Sequence, residues 1–143
     1  MGDSVKIRVV NASWGYYGEP SPSLESAINY AGNNCGMLII TSAGNDGINN
    51  DVESHYPSNF ENDNIISVAA VTPSGLVLDS YSNYGNQTVD LAARGDDNTT
   101  APGDTTTNVN AVFGTSFATA QVARAAGLLL SLIHISEPTR LRR

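Results

Sequence analysis

Apolar residues fall into runs separated by amphipathic or polar stretches, and this alternation predicts strands and helices in turn. Continuous apolar runs over residues 7–11, 37–42 and 65–71 are typical of strands that are buried on both faces. Shorter runs over residues 76–78 and 88–91 predict two further short strands, joined by turns rich in glycine and asparagine. The first two long strands should run parallel, because a crossover helix separates them.

Two segments have the composition of helices. Residues 22–34 carry apolar side chains at the helical spacing i, i+3, i+4 and i+7, namely Leu24, Ala27, Ile28 and Ala31. Proline at the start and Gly32 or Gly36 at the end mark the limits of this helix. Residues 116–132 form a long run rich in alanine and leucine, which predicts a second helix after an extended stretch at 109–113.

Polar stretches over residues 44–61 and 94–108 predict loops, since Gly, Asp, Asn and Thr predominate there. Buried strands alternating with helices predict an α/β fold: a mostly parallel sheet covered by helices on both faces, in three layers. The chain has 143 residues, of which 41% are hydrophobic, which suffices for one globular domain.

Charge and cysteine content narrow the function classes. The formal net charge of −7 argues against nucleic acid or an anionic membrane as a partner. The apolar run at 128–135 is too short for a membrane span. Cys35 is the single cysteine, so no disulfide can form within the chain, and its position before a buried strand favours an inert thiol. Residues 1–4 lack the charged start and apolar stretch of a signal peptide.

Ser116 is the first candidate for chemistry. It lies where an extended stretch turns into a helix, in the sequence Gly-Thr-Ser-Phe-Ala over residues 114–118. The first turn of a helix offers free backbone N–H groups and the positive end of the helix dipole, which suit a nucleophile whose attack creates an oxyanion. The alternative is that Thr115 or Ser116 only caps the helix.

Asn45 is the second candidate. It follows the apolar strand at 37–42, at the carboxyl end where open α/β sheets place ligand-binding groups. Its side-chain amide could donate a hydrogen bond to a developing oxyanion, although an Asn in a glycine-rich turn is also common for structural reasons. A phosphate loop at residues 42–47 would need G-x-G-x-x-G or a P-loop lysine, and the sequence has neither.

Together with Ser13-Trp14-Gly15, these segments resemble the subtilisin-like serine proteases. Residues 114–118 match the family's G-T-S-x-A motif, residues 43–47 its A-G-N-x-G motif and residues 13–15 its S-x-G motif, in the family's order. The intervening Tyr-Pro-Ser at 56–58 and Tyr-Ser-Asn-Tyr-Gly at 81–85 also look like the family. The resemblance covers roughly residues 5–131.

The resemblance implies a role for each matched residue. Ser116 would be the nucleophile, with its own N–H and the amide of Asn45 holding the oxyanion. Ser13, Trp14 and Gly15 would pair with an extended peptide, with Gly15 permitting close approach of the substrate backbone. Ala43 and Gly44 would line the pocket for the residue before the cut. The alternative for Trp14 is that it is a packing residue and does not contact the substrate.

The family also uses an Asp and a His, and neither motif is present in this chain. The two histidines, His55 and His134, lie in a polar loop and near the C-terminus, outside the family's H-G-T-H setting. The resemblance therefore implies the C-terminal half of a catalytic domain that is incomplete on its N-terminal side. We expect the isolated chain to be inactive, because serine without a positioned base is a poor nucleophile. A non-catalytic homologue that binds peptides is the alternative.

Several positions depart from the family. Arg94 stands where Pro is usual and Arg124 where Gly is usual, so Arg124 must find a partner, reach water or face solvent. Ala120-Gln121 replaces a Pro-His pair. We expect residues 1–132 to be the peptidase part, and residues 133–143 to be a non-native tail, since three of the seven basic residues fall in its last four positions.

The remaining expectations concern ligands and location. The resemblance implies a polypeptide substrate, no cofactor and a secreted or extracytoplasmic parent protein. It assigns no metal ligand here, although the parent could hold structural calcium. Three segments match glycosylation acceptors, beginning at Asn11, Asn86 and Asn98.

Overall fold

The computed structural model describes residues 6–75, 78–96, 98–99 and 111–136. In chain order, its elements are β1 (Val9–Ala12), β2 (Tyr16–Tyr17), α1 (Pro22–Cys35), β3 (Leu38–Ser42), β4 (His55–Tyr56), β5 (Ile65–Val71), β6 (Leu91–Arg94), β7 (Asn98–Thr99), β8 (Ala111–Val112) and α2 (Thr115–Ser136). Four of the strands form a parallel sheet in the order β1-β3-β5-β6. The predicted α/β fold with a parallel sheet is confirmed.

The two helices lie on opposite faces of this sheet. Because side chains alternate along a strand, Ile39 packs with Ile28 of α1, whereas its neighbour Ile40 packs with Ala118 of α2. Val68 of β5 is fully buried on the α2 side. The sheet is therefore the middle layer of three and carries a separate apolar core on each face.

Helix α1 has well-defined ends. Ser21 is the N-cap, and its hydroxyl accepts a hydrogen bond from the Leu24 N–H at 3.4 Å. Gly36 ends the helix with φ of +62°, a left-handed conformation that favours glycine. The Arg8 guanidinium donates to the Cys35 carbonyl at 3.1 Å, so a cation also stabilises the helix C-terminus.

Helix α2 crosses the sheet and contacts all four of its strands. One face of its first half packs against them, whereas its second half exposes a group of large apolar side chains: Leu128, Leu129, Leu132 and Ile133. Over Thr115–Ile133 the helix is, by length and composition, long and apolar enough to cross a membrane. The contacts of α2 with all four strands are those of a helix that covers a sheet.

Several boundaries differ from those predicted. β6 occupies Leu91–Arg94 rather than 88–91, because the Asp51 carboxylate accepts hydrogen bonds from the backbone N–H groups of residues 86–88 and holds them in a turn. Asn98–Thr99 forms a short antiparallel pair with β8 instead of a loop. Helix α2 extends to Ser136, beyond the predicted end at 132.

The stretch at 44–61 is not entirely loop, because β4 pairs antiparallel with β2 there. Arg124 is exposed, which is the solvent-facing alternative among those expected from the sequence. Leu78 forms only an isolated bridge with Val71. The predicted strand residues 76–77 and 109–110 lie outside the described residues.

The core on the α2 side can be tested with two valines. We expect Val68→Ala to lower the free energy of unfolding by about 2–3 kcal/mol, since it removes two buried methyl groups and leaves a cavity. Val52→Ala is the matched control, because Val52 is 84% exposed and should change stability by less than about 0.5 kcal/mol. Urea unfolding of the purified protein measures both, and equal effects would contradict this packing.

Candidate active site

Ser116 lies in the first turn of α2, directly after the turn that leaves β8. Gly114 makes this turn with φ of +144°, and its N–H donates to the Gly95 carbonyl at 2.8 Å. The Ser116 hydroxyl is 3.4 Å from the carbonyl oxygen of Ser13, to which it donates. In return, the Ser13 hydroxyl donates to the Ser116 carbonyl at 2.9 Å. Two of the predicted site residues, 103 positions apart in the sequence, thus lie in direct contact.

Asn45 is fixed to the same helix start. Its side-chain Oδ1 accepts two hydrogen bonds from Thr115, one from the backbone N–H and one from the hydroxyl, both at 2.8 Å. Because Oδ1 takes both of these donors, the Nδ2 side of the amide is the one left to donate. Asn45 is exposed, so this donor is open to a ligand beside the N-terminus of α2.

Ala43 and Gly44 connect β3 to Asn45 and are both buried. Gly44 has φ of +112°, which strains any residue with a Cβ. A Cβ there would also meet the side-chain amide of Asn83 and would lie 3.2 Å from the Tyr17 hydroxyl. The glycine is therefore required by the packing behind the turn as well as by its backbone.

Gly15 is packed in a similar way. A Cβ at this position would overlap the His55 imidazole and would lie 2.8 Å from the Tyr56 carbonyl oxygen. Packing against His55 and Tyr56 therefore requires glycine at this position, in addition to the close approach of a substrate backbone that the resemblance implies. Its neighbour Trp14 is 51% exposed, so its indole is not a core group and half of its surface is open to a ligand.

His55 is a buried supporting residue that sequence reasoning placed in a loop. Its Nδ1 lies 2.9 Å from the Ser58 hydroxyl, which itself donates to the His55 carbonyl at 2.6 Å. Since that hydroxyl has one proton, Nδ1 must be the donor in their mutual bond. Burial lowers the pKa of the imidazole below its usual range, an effect that the Asp46 carboxylate partly opposes.

Three residues of the site were not singled out from the sequence, Tyr17, Asn50 and Asn83, and Thr115 was considered only as a helix cap. Asn83 lies in a motif that was noted, so a signal was present without an assigned role. Nothing in the sequence around Tyr17 or Asn50 distinguishes them. Among the described residues, no group of three or more His, Cys, Asp or Glu side chains could hold a metal ion.

Comparison with known proteins gives one consistent result. The sequence model of the subtilase family matches residues 4–143. The chain is 35% identical over 136 residues to an extracellular serine proteinase of Thermus sp. (strain Rt41A), covering 95% of this chain and 31% of that protein. It is 39% identical over 105 residues to halolysin of Haloferax mediterranei, covering 73% and 18% respectively.

The solved structures agree with the sequence comparison. The crystal structure of a cold-adapted subtilisin-like serine proteinase superposes with a TM-score of 0.72 at 30% identity, covering 90% of this chain and 43% of that one. The chain therefore spans under a third of these curated relatives and less than half of this solved structure.

The buried imidazole predicts a pH dependence of stability. The folded pKa of His55 is lower than the unfolded value of about 6.5, so only the unfolded state binds a proton as the pH falls below that value. The free energy of unfolding should therefore decrease as the pH falls from about 6.5 towards about 5. Urea unfolding at a series of pH values measures this.

The control uses the only other histidine of the chain. His134→Gln should keep the decrease in stability below about pH 6.5, whereas His55→Gln should remove that component even though it lowers stability overall. A pH profile unchanged by His55→Gln would contradict the assignment.

Proposed function

Because the chain belongs to the subtilase family, we propose that it is the part of a serine endopeptidase that carries the nucleophile and the oxyanion-binding groups. The observation that carries the proposal is the double hydrogen bond from Thr115 to Asn45 Oδ1. It holds a side-chain amide donor next to Ser116, at a helix N-terminus. A residue that only capped the helix would bond to the helix start from the same segment. Here a second segment, which carries Asn45, is fixed beside the start of α2.

The proposed chemistry follows from this placement. The Ser116 Oγ attacks the carbonyl carbon of the scissile peptide bond, and its proton passes to a base. Negative charge then develops on the carbonyl oxygen, where the Ser116 N–H and the Asn45 Nδ2 donate hydrogen bonds. The leaving amine receives the proton, and water hydrolyses the acyl-enzyme in a second half-reaction.

The polypeptide substrate would lie along the Ser13–Gly15 segment. An extended peptide can add to this segment as a strand, because backbone groups supply the hydrogen bonds. The side chains of Ser13 and Ser116 are already joined to each other's backbones, so the substrate strand would be bound next to the nucleophile. Ala43 and Gly44 would then form a wall of the pocket for the residue before the cut.

The base would come from a part of the protein that precedes this chain. Neither histidine stands in the family's catalytic motif, and His55 is buried with its ring held by Ser58. The exposed edge of β1 and the apolar second half of α2 are surfaces that the rest of such a domain would cover. Secretion of the whole protein is proposed by analogy, since one relative is named an extracellular proteinase.

Two substitutions in the whole protein test the catalytic roles. Ser116→Ala should abolish turnover of a peptide substrate. Asn45→Ala should lower kcat by about 10²–10³-fold with a small change in KM, because the lost donor acts on the transition state. A loss of this size is the one established for the oxyanion donor of subtilisin itself.

Exposed residues of α1 supply the matched controls. Ser26→Ala and Asn33→Ala remove the same side-chain groups away from the site and should leave kcat unchanged. Full activity in Ser116→Ala would contradict the proposed nucleophile, and binding of peptides without turnover in the wild-type protein would favour a peptide-binding homologue.

The dependence on a missing base can be tested separately. A fluorophosphonate probe should label Ser116 in the whole protein and leave the isolated 143-residue chain unlabelled under the same conditions, because the hydroxyl alone is a weak nucleophile. Ser116→Ala in the whole protein gives the background. Equal labelling rates of chain and whole protein would show that the base lies within this chain.

A further inference from the structure

Tyr17 connects two parts of the candidate active site. Its hydroxyl donates to Asp46 Oδ2 at 2.6 Å and accepts a hydrogen bond from Asn83 Nδ2 at 2.8 Å. Asp46 directly follows Asn45 in the sequence, and Tyr17 lies two residues after Gly15. The phenol thus joins the segment after the predicted substrate edge to the turn that carries the predicted oxyanion donor.

Asn83 holds that turn from both sides of Asn45. Its backbone N–H donates to the Gly44 carbonyl at 3.0 Å, and its Oδ1 accepts the Asp46 N–H at 2.9 Å. The side chain is fully buried, and its Nδ2 also donates to Asn50 Oδ1 at 3.0 Å. Residues 44 and 46 are therefore both fixed by one residue whose side chain itself depends on Tyr17 as an acceptor.

The other end of the connection is equally constrained. Tyr17 of β2 is paired with His55 of β4, and their rings meet edge to face with centroids 5.0 Å apart. The His55 ring also packs directly against Gly15. A shift of β2 would therefore move both the substrate edge and the phenol that holds Asp46 and Asn83.

We propose that Tyr17 is a positioning residue, whose hydroxyl fixes the turn at Gly44–Asp46 to β2 and so sets the position of the Asn45 amide relative to a bound peptide. This inference rests on the proposed function, since it concerns the oxyanion donor of that reaction. It assigns no chemistry to Tyr17 itself. The phenol acts through Asp46, which follows Asn45, and through Asn83, which is bonded to the residues before and after Asn45.

The hydrogen bonds of the phenol persist over a wide pH range. Burial and the Asp46 carboxylate raise the pKa of Tyr17 to about 12, so the hydroxyl remains a donor in alkaline solution. Its donor and acceptor roles are both used, and phenylalanine would remove both without changing the ring.

The test is Tyr17→Phe in the whole protein, with steady-state kinetics on a peptide substrate. We expect kcat to fall about tenfold and KM to stay within about twofold, because a displaced oxyanion donor weakens transition-state binding more than substrate binding. Tyr30→Phe is the matched control, since Tyr30 is 63% exposed on α1, and it should change neither constant.

A double mutant separates positioning from a general structural effect. In an Asn45→Ala background, Tyr17→Phe should change kcat less than about twofold, because the group through which it acts is gone. The same tenfold loss in both backgrounds, or an unchanged kcat in the single variant, would overturn the inference.

Different measurements test the proposed function and the positioning role of Tyr17. Wild-type protein without Ser116-dependent activity would overturn the peptidase assignment. The positioning is then decided by the side-chain amide signal of Asn45 in ¹⁵N–¹H NMR spectra. A shift or broadening in Tyr17→Phe that is absent from Tyr30→Phe supports it, and an unchanged signal overturns it.

Discussion

The parallel register of β1 and β3 is the constraint on which the rest of the site depends. Because Ala12 pairs with Thr41, both strands end at the same edge of the sheet, and the turns that follow them emerge side by side. Ser13 and Asn45 are the residues that these turns present. A change of register by one residue would turn the side chains of one strand to the opposite face, which would disrupt both apolar cores as well as the site.

Polar groups buried behind the site make its geometry rigid. The buried side chains of Asn83 and Asn50 bond to each other, and Asn50 Nδ2 also donates to the Ala43 carbonyl at 2.8 Å. The Tyr17 hydroxyl, at the partly exposed end of this network, accepts from Asn83. Such groups are costly to bury unless every partner is in place, so the network tolerates few alternative arrangements. The backbone of the Ala43–Asp46 turn is therefore held by both side-chain and backbone groups from elsewhere in the chain.

The sequence was sufficient to predict the architecture, and three of the residues that it named, Ser13, Asn45 and Ser116, lie together in the structure. Long apolar runs and the helical spacing around Ile28 identify elements whose burial dominates their energy, and Gly36 was one of the two predicted ends of α1. The two-residue strands β2 and β4 escaped prediction, because they are too short to show a period and depend on long-range pairing. β6 was misplaced because long-range hydrogen bonds from residues 86–88 to the Asp51 carboxylate hold the start of the predicted strand in a turn. The role of Tyr17 is likewise invisible in the sequence, since its partners lie 29 and 66 residues away.

The contact between Ser13 and Ser116 also has a consequence for the timing of folding. It closes a loop of 103 residues, so nearly the whole described chain must be synthesised before the two segments can meet. On the ribosome the N-terminal part emerges first, and contacts between distant residues form late. β1, α1 and β3 can associate while α2 is still being made, but the environment of Ser116 cannot exist until α2 has left the exit tunnel. The order of synthesis therefore delays the contact between Ser13 and Ser116 until α2 has been made, however early the strands of the sheet associate.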